Sequence, residues 1–200
     1  MTFRVPITFG ATIGLAVMLA GCGINSVPTA EENVKAKWAD VQADYQRRSD
    51  TIPNIVATVK GGSASEGKIL TDVIEARSKA TSVQVTADQL TDPAKVAQFQ
   101  AAQGAVTGSL SRLLATVEAY PDLKSQENYR TLIREIEGSN SRIKNSVRDY
   151  NVAVQAYNTR IRTFPDAIGA KIFYGAKPIV PFQAAPGAEA NPTVDFGNTN

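Results

Sequence analysis

The chain has 200 residues, 43% of them hydrophobic, and its 21 basic and 19 acidic side chains form no long block of either sign. This length allows one domain with a hydrophobic core, and the balanced charge gives no basic surface of the kind that binds nucleic acid. The chain has no histidine and one cysteine, which excludes most zinc sites, histidine-activated nucleophiles and any disulfide within the chain.

Residues 1–21 have the pattern of a secretory signal peptide. Arg4 is the only charged side chain in this stretch, and the apolar run after it is too short and too lightly flanked to favour a permanent membrane span. The run ends in Leu19, Ala20, Gly21 and Cys22, which resemble the bacterial lipobox. We therefore expect cleavage between Gly21 and Cys22 and a membrane anchor of acyl chains, such as palmitate, on Cys22. The alternatives are an uncleaved anchor and an ordinary signal peptide.

The residue after the cysteine bears on the choice of membrane. In bacteria with two membranes, an aspartate at this position is similar to the signal that retains a lipoprotein in the inner membrane, whereas this chain has Gly23. We expect a lipoprotein that faces the periplasm or the cell exterior, in the outer membrane if the source has one. Residues 22–28 are predicted to form a linker.

Apolar residues in three long segments recur at alternating steps of three and four, which is the pattern of helices with one buried face. Together with capping and turn signals, this pattern predicts four main helices at about 29–60, 65–84, 93–120 and 125–164. The connections are short, so we expect an all-α, elongated antiparallel up-down bundle. The seam of the first helix consists of Val34, Trp38, Val41, Tyr45, Arg48, Ile52, Ile55 and Val59. The seam of the last helix ends with Tyr150, Val154, Tyr157, Ile161 and Phe164.

The region after Pro165 is predicted to be a mostly irregular tail. We place the end of the bundle near residue 182 and expect residues 183–200, which are rich in alanine, glycine and proline, to be disordered. Phe173, Tyr174 and Phe182 lie among lysines in this region. They are expected either to dock on the end of the bundle or to contact bilayer headgroups.

Three blocks in the chain, at residues 47–56, 118–124 and 150–165, resemble the signature sequences of the LemA family. The resemblance covers about residues 34–182. It implies a bacterial, membrane-attached protein built as an antiparallel helical bundle, and it leaves the biochemical role undefined. Many LemA-like proteins have a short amino-terminal transmembrane helix, whereas this sequence has a lipobox.

Arg48 is the one charged residue on the first seam, so we expect it to be paired or to extend its charged end to solvent. Glu118, Asp122 and Asp149 are possible ion-pair partners, and a ligand is the alternative. Glu118 and Asp122 lie four residues apart and could form a carboxylate pair of the kind found in hydrolases. Solvated acids at a helix end are the simpler interpretation.

Asn151 and Asn158 lie seven residues apart and could form a polar ladder that recognises a partner or its peptide backbone. Hydrogen bonding between helices is the alternative. Asn54 and Asp122 lie toward the end of the bundle far from the lipid. Arg48, Asn54, Asp122, Asn151 and Asn158 are therefore the candidate partner-binding residues.

These patterns predict a lipid-anchored envelope protein that acts as a non-enzymatic scaffold or adaptor. Its expected partners are the membrane, through the lipid on Cys22, and unidentified envelope proteins, with no nucleic acid. We identify no catalytic residue, cofactor motif or metal-ligand set, and the sequence gives no oligomeric state. The alternative is an envelope hydrolase or small-molecule binder that uses a polar patch around Arg48, Glu118 and Asp122.

Overall fold

The computed structural model describes residues 25–62, 67–119 and 127–183, with side chains for 25–60, 67–116 and 127–183. The predicted lipid site at Gly21 and Cys22, the Asp122 turn and residues 184–200 lie outside this part of the chain. The four main helices are α1 (Ser26–Gly62), α2 (Gly67–Ser82), α3 (Pro93–Ala119) and α4 (Glu127–Arg160). A 3-10 helix (Ala87–Thr91) precedes α3, and a short α5 (Asp166–Ile172) follows α4. The predicted all-α class is confirmed.

Helix ends of α1, α2 and α4 differ from the prediction by two to four residues, and the largest differences are at the start of α1 and the end of α4. α1 begins at Ser26, so residues 26–28, which we assigned to the linker, form its first turn, and the Thr29 hydroxyl donates a hydrogen bond to the Asn25 carbonyl. α4 ends at Arg160 instead of residue 164, and Phe164 is 82% exposed. The Phe164–Pro165 peptide bond is cis. Proline disfavours a helical backbone at the residue before it, which here is Phe164. The irregular segment begins earlier still, after Arg160.

Hydrogen bonds between the helices show the up-down-up-down order. Arg160 donates to the Ser26 carbonyl and the Tyr129 hydroxyl donates to the Val59 carbonyl, so α1 and α4 are antiparallel. The Trp38 indole donates to the Val85 carbonyl and Arg77 donates to the Ser49 carbonyl, so α2 also runs opposite to α1. α3 runs parallel to α1. The predicted antiparallel bundle is confirmed.

The buried core has two apolar clusters with a polar layer between them. One cluster lies around Ile52, Ile55 and Val59 of α1, and the other lies around Val34, Trp38 and Val41. Seven of the eight seam residues of α1 are buried and Tyr45 is half-buried. Between the clusters lie Arg48 of α1 and Gln103 of α3, both buried. The core is therefore continuous along α1 except at the level of Arg48.

The aromatic residues of the second cluster include one from the tail. The Phe182 ring lies 5.9 Å from the Trp38 ring and 5.6 Å from the Tyr150 ring, measured between centroids. Phe173 and Tyr174, in contrast, are exposed. Of the three aromatic residues that the sequence analysis treated together, Phe182 therefore packs on the bundle, whereas Phe173 and Tyr174 are exposed to solvent.

No helix in the described ranges combines the length and the apolar content that a bilayer crossing requires.

Replacement of Tyr157 by alanine should lower the free energy of unfolding by about 3–5 kcal/mol, because it empties a buried ring site. Tyr157 is 2% exposed in the second cluster. Urea unfolding followed by circular dichroism measures the change. Val152→Ala, at an exposed site on the same helix, is the control and should leave the midpoint nearly unchanged. Equal midpoints for the two variants would contradict the packing described.

Candidate functional site

The side chain of Arg48 is 3% exposed because it occupies a seam position of α1. Its guanidinium donates to the Thr107 hydroxyl at 2.8 Å, to the Gln103 side-chain oxygen at 2.8 Å and to the Gln103 carbonyl at 3.1 Å. The guanidinium carbon lies 5.0 Å from the centre of the Tyr45 ring, a cation–π distance. α3 and one neighbouring turn of α1 thus hold the guanidinium in place.

No acidic side chain in the described part of the chain forms an ion pair with Arg48. Glu118 follows Gln103 by 15 residues in α3, which is about 22 Å along the helix axis, and Asp149 pairs with Arg148 at 3.1 Å. The side chain of Glu118 and all of Asp122 lie outside the described residues. The structure therefore does not bring Glu118 to Arg48, and the expected pairing with Glu118 or Asp149 is wrong.

Burial removes the charged guanidinium from water and lowers the pKa of Arg48, while the Tyr45 phenol acts weakly in the opposite direction. An arginine remains protonated at neutral pH despite such a shift. The same burial raises the pKa of Tyr45, so its hydroxyl is neutral. The bundle consequently contains a positive charge that is balanced only by amide, carbonyl and hydroxyl dipoles among the described residues.

A cavity of about 370 Å³ opens from this buried charge to the surface between α1, α2 and α3. Arg48, Ser49, Arg77 and Gln103 are polar residues on its wall. Its mouth is formed by exposed glutamines and a threonine, namely Gln42, Gln46, Thr81 and Gln84. The Ser49 hydroxyl oxygen is buried and has no hydrogen-bond partner among the residues that the structure describes. The sequence indicated Arg48 as a charged residue on the first seam, but it gave no sign of the cavity.

Residues 175–183, named here the C-terminal strap, run back along α4. Gly175 has a φ of 54°, a conformation that glycine adopts readily, and it starts the strap after α5. The Asn158 side chain donates to the Ile179 carbonyl at 2.8 Å and accepts from the Ile179 amide at 2.9 Å. Asn151 makes the same pair of hydrogen bonds with Phe182, at 3.0 and 2.8 Å.

Tyrosines on α4 add to this ladder. The Tyr150 hydroxyl donates to the Val180 carbonyl at 2.9 Å and the Tyr157 hydroxyl donates to the Lys177 carbonyl at 3.3 Å. The Val180 amide donates to the Leu90 carbonyl. Asn151 and Asn158 therefore bind peptide backbone, as one interpretation of their spacing suggested, but the backbone belongs to their own chain. Asn54, the remaining candidate, is exposed on α1 and does not line the cavity.

The turn after α4 and the outer face of α5 expose five large apolar residues, named here the apolar cap. They are Phe164, Ile168, Ile172, Phe173 and Tyr174. α5 buries only its inner face, at Gly169 and Ala170. Arg160 joins this end to the start of α1, since it bonds to the Ser26 carbonyl and pairs with Asp166 at 3.6 Å. The apolar cap thus lies beside the first residue of α1.

The fold and these contacts define an antiparallel helical bundle with a buried arginine layer and its own C-terminal segment bound along the last long helix. The chain belongs to the LemA family, whose model matches residues 37–196. The resemblance seen in the sequence is confirmed.

Curated relatives agree with this assignment. Magnetosome proteins MamQ 1 and MamQ 2 of Paramagnetospirillum magneticum are each 25% identical over 157 residues, covering 70% of this chain and 58% of theirs. Protein LemA of Metamycoplasma hominis is 24% identical over 157 residues, covering 78% of this chain and 67% of its own. The chain spans less than two thirds of the length of the MamQ relatives.

Replacement of Asn158 by aspartate should loosen the C-terminal strap. The carboxylate keeps an acceptor for the Ile179 amide, but it loses the donor to the Ile179 carbonyl and places a negative charge against that oxygen. The bond lies in a half-buried site, where loss of a hydrogen bond costs about 0.5–1.5 kcal/mol, so hydrogen exchange at the Ile179 and Phe182 amides should accelerate by roughly 2- to 13-fold. Asn145→Asp, an exposed change on the same helix, is the control. Unchanged protection in Asn158→Asp would contradict the ladder.

Proposed function

We propose that the protein is a lipid-anchored component of the bacterial envelope, that its bundle rests on the membrane through the apolar cap, and that it acts as a non-enzymatic scaffold or adaptor. The observation that carries the proposal is the position of the cap. Its exposed apolar side chains lie at the same end of the bundle as the start of α1.

The short stretch of chain between Cys22 and α1 limits how far this end of the bundle can lie from a lipid on Cys22. Cys22 precedes Ser26 by four residues, which span at most about 14 Å when fully extended. If Cys22 is acylated, the bilayer surface lies within that distance of the start of α1. An exposed apolar surface so close to lipid can bury its side chains in the interface, and each fully buried large side chain contributes about 1.5–3 kcal/mol.

The charges around the apolar cap also suit a membrane surface. Arg162 and Lys171 are exposed next to it, and Asp166 is paired with Arg160. Aromatic and basic residues together favour the headgroup region, where anionic lipids attract the cations. A lipid at Cys22 and a basic, aromatic apolar cap would provide two independent membrane contacts.

The non-enzymatic part of the proposal is supported by the surroundings of Arg48. The described residues that line its cavity include no carboxylate, and α3 carries Glu118 far along the bundle. Within this part of the chain, the wall of the cavity therefore offers no carboxylate for the acid–base pair of a hydrolase. A bundle that stands on a membrane presents its far end and its flanks to other envelope proteins, which is the geometry of an adaptor. We place it in the periplasm or at the cell exterior, and Gly23 favours the outer membrane where one exists.

An environment-sensitive probe attached to Phe173→Cys should report burial in lipid. Cys22 is the only native cysteine, so an acylated chain contains a single free thiol at the new position. In vesicles that contain anionic lipid, we expect a blue shift and strong quenching by brominated lipid. Ile74→Cys, exposed on α2 near the level of Ser49, is the matched control and should show neither change.

Equal quenching at the two positions, or none at Phe173→Cys, would refute seating through the apolar cap. The anchor is tested in the same cells with Cys22→Ala, which should leave the precursor unprocessed and unlabelled by a radioactive fatty acid. Labelling of that variant would refute acylation at Cys22. The two experiments therefore test acylation at Cys22 and the membrane contact of the apolar cap independently.

Photo-crosslinking in intact cells tests the adaptor role. A photoreactive residue in place of Asn54 or of Asp122 should form adducts with one and the same envelope protein, because both positions are expected at the end far from the lipid. The same residue in place of Ile172 should form adducts mainly with lipid. No protein adduct from either of the first two positions would argue against an adaptor.

A further inference from the structure

The cavity beside Arg48 contains a positive charge that the described part of the chain does not neutralise. A buried charge costs several kcal/mol unless it is paired and hydrogen-bonded. Arg48 has hydrogen bonds to Gln103 and Thr107 but no carboxylate partner. An anion that enters the cavity would supply the missing charge.

Hydrogen-bond donors on the cavity wall are also unused. A guanidinium has five N–H donors, and the bonds of Arg48 use three of them. Arg77 uses its Nε to bind the Ser49 carbonyl at 2.8 Å, and its terminal nitrogens bind no other described residue. The Ser49 hydroxyl is buried and none of the described residues bonds to it. Donors from three residues, two of them cationic, therefore line one cavity.

The rest of the cavity is apolar at depth and polar at the mouth. Ile52, Phe99 and Val106 are buried residues on its wall, whereas the glutamines at the entrance are exposed. A volume of about 370 Å³ lies within the range of small-molecule sites. The shape suits a ligand with one charged end and one short apolar end.

We propose that this cavity binds the oxyanion of a small amphipathic molecule, with a carboxylate or a phosphate group on Arg48 and Arg77 and an apolar body against Ile52, Phe99 and Val106. Planar guanidinium groups bind both kinds of oxyanion in a bidentate manner. Such a site is a receptor, and it does not depend on the membrane contact proposed above.

Isothermal titration of the full mature chain with hexanoate, hexyl phosphate and hexanol tests the proposal. We expect one or both anions to bind and hexanol not to bind, since it lacks the charge. The tighter anion identifies the group that the cavity prefers. Failure of both anions to bind, or binding of hexanol as tight as that of the anions, would overturn the proposal.

Arg48→Met, which keeps an apolar side chain and removes the charge, should weaken binding by about 10- to 100-fold, the effect of a lost charge-assisted hydrogen bond. Arg47→Met, at the exposed adjacent position, is the matched control and should bind as the wild type does. Arg48→Met removes a buried charge but leaves the Gln103 side-chain oxygen without its donor, so a melting curve first establishes that the variant is folded.

Arg77→Met is the second variant, should Arg48→Met fail to fold. Arg77 is half-buried and contacts α1 through one hydrogen bond, so its replacement should leave the bundle intact and weaken anion binding several-fold. Wild-type affinity in a folded Arg48→Met, or in Arg77→Met if Arg48→Met does not fold, would assign the arginines a purely structural role and refute the site.

Discussion

The antiparallel pairing of α1 with α4 determines where every other element can pack. Contacts at both ends, Arg160 with Ser26 and Tyr129 with Val59, show that the pairing extends over nearly the whole length of both helices. Apolar burial provides its stability, but apolar residues that repeat along a seam do not by themselves select one register. Arg48 favours one register of α1 against α3, because a shift of one turn would separate the guanidinium from Gln103 and Thr107. The polar layer thus costs desolvation energy and in return specifies the alignment.

The C-terminal strap depends on that same alignment. It belongs to no helix or sheet, so its backbone groups need hydrogen-bond partners from other parts of the chain, and side chains of α4 supply most of them. A primary amide offers one donor and one acceptor side by side, which matches the amide and carbonyl of a single residue in an extended chain. Asn151 and Asn158 lie two turns apart on α4 and meet Phe182 and Ile179. Phe182 then completes the ring cluster that Trp38 and Tyr150 begin.

Periodicity was sufficient to predict the buried face of α1, and with capping and turn signals it predicted the helices. The alternating direction of the helices followed from their short connections. Periodicity failed at Phe164, where the backbone leaves the helix before the apolar pattern ends. The Gln103 partner of Arg48 could have been anticipated, since both are polar residues at seam positions of neighbouring helices. The cavity could not be anticipated, because it depends on how α1, α2 and α3 pack together. The spacing of Asn151 and Asn158 suggested a ladder, but its partner could not be anticipated, because the strap is an extended segment without any period.

The direction of the C-terminal strap has a consequence for the far end of the polypeptide. The strap leaves α5 at the apolar cap and reaches Asn151, nine residues before the end of α4, by Phe182. Measured along the helix axis, Asn151 lies about 14 Å from the end of α4 at Arg160. Gln183 therefore lies on the flank of the bundle and not at the end that carries the apolar cap. A fluorescent domain or an affinity tag joined directly to Gln183 would be attached beside α4, about 14 Å from that end.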